Sequence, residues 1–336
     1  MIESIVFDEK NNVRILDQTL LPATESYRDI PNYDSMIEAI KKLRIRGAPA
    51  IGIAGLVASA LALDEYKDYL QCQSKLMKVL DEIEKARPTA VNLSYAINIA
   101  RKWVSSAEFS PESDFLWVKS KELSLKEKEA GNLMAEYGLA EIYHGQKELR
   151  ILTHCNTGSL ATYGQGTALS VIKALAKKTK VIVWADETRP LLQGARLTVW
   201  ELLKEGVECY LISDSMAAHT IKTKHIDMII TGADRITQNG DSANKIGTLN
   251  LSILANYYKI PFYIVAPTTT IDTYLLTGDQ IIIEERESSE LKYIKGIQIA
   301  PQACKVFNPA FDVVDNKHIT AIITENGVFK RPYDFK

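Results

Sequence analysis

Two stretches of this sequence join side chains able to move protons to backbone able to hold an anion. The first, His154-Cys155-Asn156-Thr157-Gly158, runs through Gly164-Gln165-Gly166-Thr167 into the apolar helical stretch Ala168 to Leu175. A strand, a glycine-rich turn and a helix amino terminus together present unpaired N–H groups and a positive dipole end. That arrangement suits an anion and can make a nearby cysteine reactive. On residue type alone, a cysteine here is more often a small buried thiol beside turn-forming glycines. The second stretch is Thr231-Gly232-Ala233-Asp234-Arg235, followed by Asn239-Gly240-Asp241 and Ser242-Ala243-Asn244-Lys245-Ile246-Gly247. A carboxylate where a strand ends can pass protons once burial raises its pKa, and it caps a turn just as readily. Asn244 and Lys245 read as opening a helical stretch, where an amide and an ammonium can hold a phosphate; a solvated lysine is the commoner case.

A third set lies earlier: Arg44, Arg46, Gly47, Ala48 and Pro49, then Arg87-Pro88-Thr89-Ala90-Val91-Asn92-Leu93. Arginine beside glycine and small residues lets a guanidinium and backbone amides approach a phosphate together, although most arginines are simply solvated. Other catalytic plans fail on inventory. The five histidines form no HxxxH or HExxH pair, and no CxxC, GxSxG, Walker A or GxGxxG motif occurs, so no metal or cofactor is expected. His154 and Cys155 are neighbours near a strand end, where successive side chains point to opposite faces, so they should not act as a dyad.

The elements that must position these residues differ between the two halves. Ser4 to Phe7 and Val13 to Leu16, joined by the polar Asp8 to Asn12, predict a hairpin. Apolar residues at three- and four-residue spacing then predict helices from Tyr33 to about Arg87, with the small-residue run Gly47 to Ala62 as a buried one. Tyr95 to Val104 and Ser113 to His144 continue them. After Gly145, β-branched runs alternate with helical patterns: Arg150 to His154, Lys180 to Ala185, Glu208 to Ser213, Met228 to Thr231, Phe262 to Ala266 and Ala321 to Thr324. Such alternation predicts an α/β fold with a parallel sheet covered by helices on both faces, and a domain division into residues 1–145 and 146–336. Ligands of such sheets sit beyond the carboxyl ends of the strands, where Cys155, Asp186 to Arg189, Asp214 and Asp234 fall.

Composition narrows the setting. Forty basic and forty-two acidic side chains give a formal charge of -2, so no bulk attraction to nucleic acid or an anionic membrane is expected. Four scattered cysteines read as reduced thiols. The charged amino terminus and the lack of a run of about eighteen apolar residues predict a cytoplasmic chain with no membrane span.

Taken together, Arg46-Gly47-Ala48-Pro49-Ala50-Ile51-Gly52, Arg87 to Leu93, Thr153 to Asn156, Asp186-Glu187-Thr188-Arg189-Pro190 with Gln193 to Leu197, and Gly232 to Arg235 resemble the methylthioribose-1-phosphate isomerase family. Its wider group includes ribose-1,5-bisphosphate and 5-deoxyribose-1-phosphate isomerases and non-catalytic regulatory subunits of a translation-initiation exchange factor. The resemblance implies a mainly helical amino-terminal domain with a small antiparallel sheet, a Rossmann-like carboxyl-terminal domain and a homodimer. It implies Cys155 and Asp234 as the catalytic pair, with Arg46, Gly47, Ala48, Arg87, Gln193, Asn244 and Lys245 contacting a small sugar phosphate. The chain departs from the family's methylthio-specific members at Thr157, Ser159, Tyr163 and Gln165, where smaller or less polar residues are usual. That leaves a 5-deoxy or 5-phosphate sugar as the alternative substrate and a binding-only subunit as the alternative of another class.

Overall fold

The computed structural model describes residues 2–88 and 90–335, so Thr89 of the Arg87 to Leu93 stretch lies outside the described residues. Two compact units emerge: residues 1–131 with 158–166, and residues 132–157 with 167–336.

In the first unit, the expected hairpin forms from β1 (Ile5–Phe7) and β2 (Val13–Leu16), with Ile5 opposite Ile15 and both fully buried. A third strand, β3 (Tyr27–Asp29), pairs antiparallel with β2. The local sequence does not predict this strand, because all three of its residues are exposed and leave no alternation of apolar and polar positions. The helices are α1 (Tyr33–Lys41), α2 (Ala48–Tyr66), α3 (Cys72–Glu84), α4 (Val91–Val104) and α5 (Phe115–Ile142). Asn32 caps α1 by accepting from the Ser35 N–H at 2.9 Å. Among the described residues α2 alone is long and apolar enough to cross a membrane by length and composition. Of its most apolar window 78% is buried, which is the condition of a core helix. The segment 158–166 is fastened to this unit by Ser4 Oγ on the Thr162 carbonyl (2.6 Å) and Gln18 Nε2 on the Leu160 carbonyl (2.7 Å), with Tyr163 against Phe7.

The second unit contains, in chain order, β4 (Glu148–Thr153), α6 (Ala168–Ala176), β5 (Lys180–Asp186), α7 (Val199–Lys204), β6 (Glu208–Ile212), α8 (Ala217–Lys224), β7 (Met228–Thr231), β8 (Arg235–Thr237), β9 (Ser242–Lys245), α9 (Thr248–Tyr258), β10 (Phe262–Val265), β11 (Ile271–Asp272), α10 (Ser289–Lys292), β12 (Tyr293–Ile294), β13 (Ile297–Gln298), β14 (Phe311–Val314), β15 (Ala321–Thr324) and β16 (Gly327–Phe329). All six anticipated strands, with β16 as an unanticipated seventh, form one sheet in the order β16-β15-β10-β7-β4-β5-β6, parallel except for the terminal β16. Counted along the chain, the parallel strands run 3-2-1-4-5-6, the doubly wound order. Its switch point falls between the neighbours β4 and β7, where Leu152 lies opposite Ile229.

The units divide inside α5, between Gly131 and Asn132, whereas the onset of alternating β-branched runs predicts a division at 145 to 146. The later half of α5 packs on α6: a Cβ on Gly138 would lie 2.5 Å from Val171 Cγ2. A smaller sheet, β11-β8-β9-β14, and the β12–β13 hairpin were not anticipated, their strands being short and partly polar. Asn244 and Lys245 lie in this smaller sheet at the end of β9, paired with Asp312 and Phe311 of β14, and do not open a helix. The helix starts only at Thr248, because Gly247 at φ +107° turns the chain first.

Candidate active site

Cys155 lies two residues beyond β4 and is buried, in the left-handed region at φ +60°. That conformation is uncommon without a glycine and costs on the order of 1 kcal/mol or more unless its surroundings enforce it. They do so at both peptide groups. The Cys155 N–H donates to Thr188 Oγ1 at 2.9 Å, and its carbonyl accepts from Thr198 Oγ1 at 2.5 Å. Next to it Asn156 is buried and donates to Glu201 Oε1 at 2.8 Å.

Thr188, itself at φ +65°, belongs to the loop after β5. Its N–H and that of Arg189 donate to the two carboxylate oxygens of Asp214 at 2.8 and 2.7 Å, so a side chain two residues beyond β6 ties down the loop after β5. Gly194 makes the approach tight, since a Cβ there would lie 1.7 Å from the Asp186 carbonyl oxygen.

His154 and Asp186 form a buried pair, with Nδ1 2.9 Å from Oδ2. His154 Nε2 lies 2.9 Å from the Ile246 carbonyl, which accepts only, so Nε2 carries a hydrogen. One further proton therefore sits between Nδ1 and the carboxylate. Burial opposes an imidazolium, but the hydrogen bond and charge of Asp186, with the charge of Asp214, outweigh it and raise the His154 pKa. Burial pushes Asp186 up to about 6, against the lowering influence of His154. His154, Asp186 and Asp214 bring metal-ligand atoms within 4.8 Å of one another, yet these hydrogen bonds already use the imidazole and the Asp214 carboxylate. The arrangement is a proton-holding pair beside a backbone anchor. Both ring nitrogens of His154 are committed, so it is no base for Cys155.

Asp234 lies three residues beyond β7, half-buried, with its N–H donating to the Ala243 carbonyl of β9 at 2.9 Å. Its loop abuts the Cys155 loop: a Cβ on Gly232 would meet Thr157 Cγ2 at 2.6 Å. The structure thus brings the two loops together at the switch point. Asn244 is buried and donates to Thr248 Oγ1 at 3.0 Å. Lys245 Nζ donates to the Ala310 carbonyl at 2.8 Å and lies 4.5 Å from the centre of the Phe311 ring. Gln193 is buried beside the π turn Gly194–Thr198. Thr157 Oγ1, Asp186 Oδ1, Gln193 Oε1 and Thr231 Oγ1 are buried without a hydrogen-bond partner among the described residues, all on loops or strand ends after β4, β5 and β7. Buried polar atoms left so are costly, and a hydroxylated ligand satisfies such groups.

In the first unit, Gly47 (φ +91°) is the amino-terminal cap of α2, Arg46 precedes it and Ala48 opens the helix; Arg87 lies in the turn before α4. A Cβ on Gly52 would lie 3.1 Å from the Asn92 carbonyl oxygen, so the first turns of α2 and α4 run side by side. The amino-terminal parts of α2 and α4, which Arg46, Gly47, Ala48 and Arg87 precede or open, therefore lie against each other.

The Initiation factor 2 subunit family matches residues 44–331. A methylthioribose-1-phosphate isomerase of Desulforamulus reducens is 46% identical over 334 residues, covering 97% of this chain and 95% of that protein. The chain belongs to the methylthioribose-1-phosphate isomerase branch of this family. A crystal structure of 5-methylthioribose 1-phosphate isomerase from Pyrococcus horikoshii OT3 superposes with a TM-score of 0.90 at 39% identity, covering 99% of this chain and 94% of that one. One described as translation initiation factor eIF-2B, subunit delta, from A. fulgidus gives 0.87 at 39% identity, covering 99% and 97%. Within the family fold, Thr188, Thr198 and Glu201 hold the Cys155 loop and Asp214 holds Thr188, tasks that nothing in their local sequence spacing announces.

Proposed function

We propose that this chain is an aldose–ketose isomerase that converts 5-methylthioribose 1-phosphate to 5-methylthioribulose 1-phosphate, a step of methionine salvage, with Cys155 and Asp234 as its catalytic pair. The observation that carries the reading is the contact at the switch point between the two loops that bear a thiol and a carboxylate. Full-length relatives named methylthioribose-1-phosphate isomerases support the substrate.

An aldose with phosphate on O1 cannot open its ring as a free sugar does, because the anomeric oxygen is blocked. The bond from C1 to the ring oxygen must break, and hydrogen must move from C2 to C1. In this reading Asp234 serves as the acid or base at the ring and C2 oxygens, and Cys155 as its partner or as stabiliser of the developing charge. Gln193, Asn244 and Lys245, with Arg46, Gly47, Ala48 and Arg87, are the proposed substrate contacts; homodimeric assembly and a cytoplasmic setting belong to the same proposal.

Turnover of synthetic methylthioribose 1-phosphate by wild type, Cys155→Ser and Asp234→Asn tests it. Both variants should lose activity by several orders of magnitude; equal activity in all three rejects the pair. A comparison of kcat/KM with 5-deoxyribose 1-phosphate and ribose 1,5-bisphosphate tests the substrate. Reaction in deuterated water tests the route of the hydrogen: substantial solvent deuterium at C1 of the product excludes a pure hydride shift.

A further inference from the structure

Two threonine hydroxyls from different segments hold the two peptide groups of Cys155: Thr188 Oγ1 accepts its N–H and Thr198 Oγ1 donates to its carbonyl. Burial of a small thiol requires nothing of the kind. Thr188 is β-branched and still sits at φ +65°, and Cys155 at φ +60° is bonded to it. Two such positions joined together persist only where neighbouring groups over-determine them.

Those neighbours are present on both sides. Asp214 takes the N–H groups of Thr188 and Arg189, and the Thr188 hydroxyl donates onward to the Asp186 carbonyl at 3.1 Å. On the other side, Asn156 Nδ2 bridges Thr198 Oγ1 at 3.3 Å and the buried Glu201 carboxylate at 2.8 Å. Thr188 is thus held through its N–H by a carboxylate, and Thr198 by an amide that a carboxylate anchors.

We propose that Thr188 and Thr198 are positioning residues of the isomerisation, a hydroxyl clamp that fixes the backbone of Cys155 in the left-handed region and thereby sets the direction of its thiol. The clamp rests on the assignment of Cys155 to the chemistry. Neither threonine enters the reaction itself.

The test replaces each hydroxyl by a methyl group of similar size, Thr188→Val and Thr198→Val, and pairs each with the serine variant that keeps the hydroxyl. Steady-state kinetics on methylthioribose 1-phosphate are normalised to the folded fraction, and crystal structures of the valine variants report the Cys155 φ. Each valine variant should lose about 10- to 100-fold in kcat, the scale of a misplaced reacting group, with KM changed by no more than about twofold. Each serine variant should recover most of the rate, and φ should leave the left-handed region in the valine variants. Valine variants that lose melting temperature but keep kcat, or serine variants as slow as valine ones, overturn the clamp. Alanine substitutes where a valine variant is insoluble. Should wild type turn over none of the sugar phosphates, the isomerase reading fails and the Cys155 φ alone decides: unchanged in both variants, it overturns the clamp; displaced, it supports it.

Discussion

Gly232 meets Thr157 so closely that a single added carbon would lie 2.6 Å from Thr157 Cγ2, and this contact joins the loop that bears Asp234 to the loop that bears Cys155. Gly232 needs no left-handed backbone, so the constraint is steric. Gly232→Ala should therefore lower kcat and cost about 1–3 kcal/mol of stability by overpacking. Thr157→Ser removes the offending Cγ2. A double-mutant cycle should show the serine restoring much of both losses, and purely additive effects would mean that the loops do not meet there.

Gly194 faces a harder barrier. Its added carbon would fall 1.7 Å from the Asp186 carbonyl and 3.0 Å from Thr188 Oγ1, and backbone cannot move aside as a flexible side chain does. Gly194→Ala should cost about 3 kcal/mol in urea denaturation and slow turnover through the displaced Thr188. A variant as stable as wild type would place the π turn further from β5.

The His154–Asp186 pair gives stability a pH dependence whose sign follows from its geometry. Both groups have raised pKa values in the folded chain, so the folded state keeps a proton that the unfolded chain releases sooner. The contribution is full below the ordinary aspartate value of 3.8 and declines as pH rises through about 6 for Asp186. It declines further above the ordinary histidine value of 6.5. Asp186→Asn offers Nδ1 an amide hydrogen and does not titrate, so its melting temperature should fall less than that of wild type between about pH 5 and 9. Parallel curves would put the proton elsewhere.

Helix α2 is apolar on all sides, and Leu56 near its middle is fully buried. Leu56→Ala should cost about 3 kcal/mol in aqueous denaturation, a transfer loss plus a cavity. No loss in water would mean that this helix is not the core of its unit.

Much of the site was legible in sequence because some signals are local. The hairpin from Ile5 to Leu16, the buried helix from Ala48 and the six strands of the large sheet all show in the alternation or helical spacing of apolar residues, which records the face each element buries. The position of Cys155 and Asp234 after strands β4 and β7 followed from those runs. Asn244 and Lys245 lie on a strand and not on the helix that local spacing predicts, because a four-residue strand of polar character has no pattern of its own and depends on β14, more than sixty residues away, for its hydrogen bonds.

The sequence by itself determined the first hairpin, the helices of the first unit, the six parallel strands of the large sheet, and which thiol and carboxylate follow two of those strands. Only the tertiary structure decided that β4 and β7 are neighbours, that Gly232 meets Thr157, that His154 shares a proton with Asp186, and that Thr188 and Thr198 hold Cys155 at φ +60°. Spacing along a chain encodes periodic burial, whereas hydrogen bonds between residues thirty or more positions apart exist only once the sheet has set its strand order.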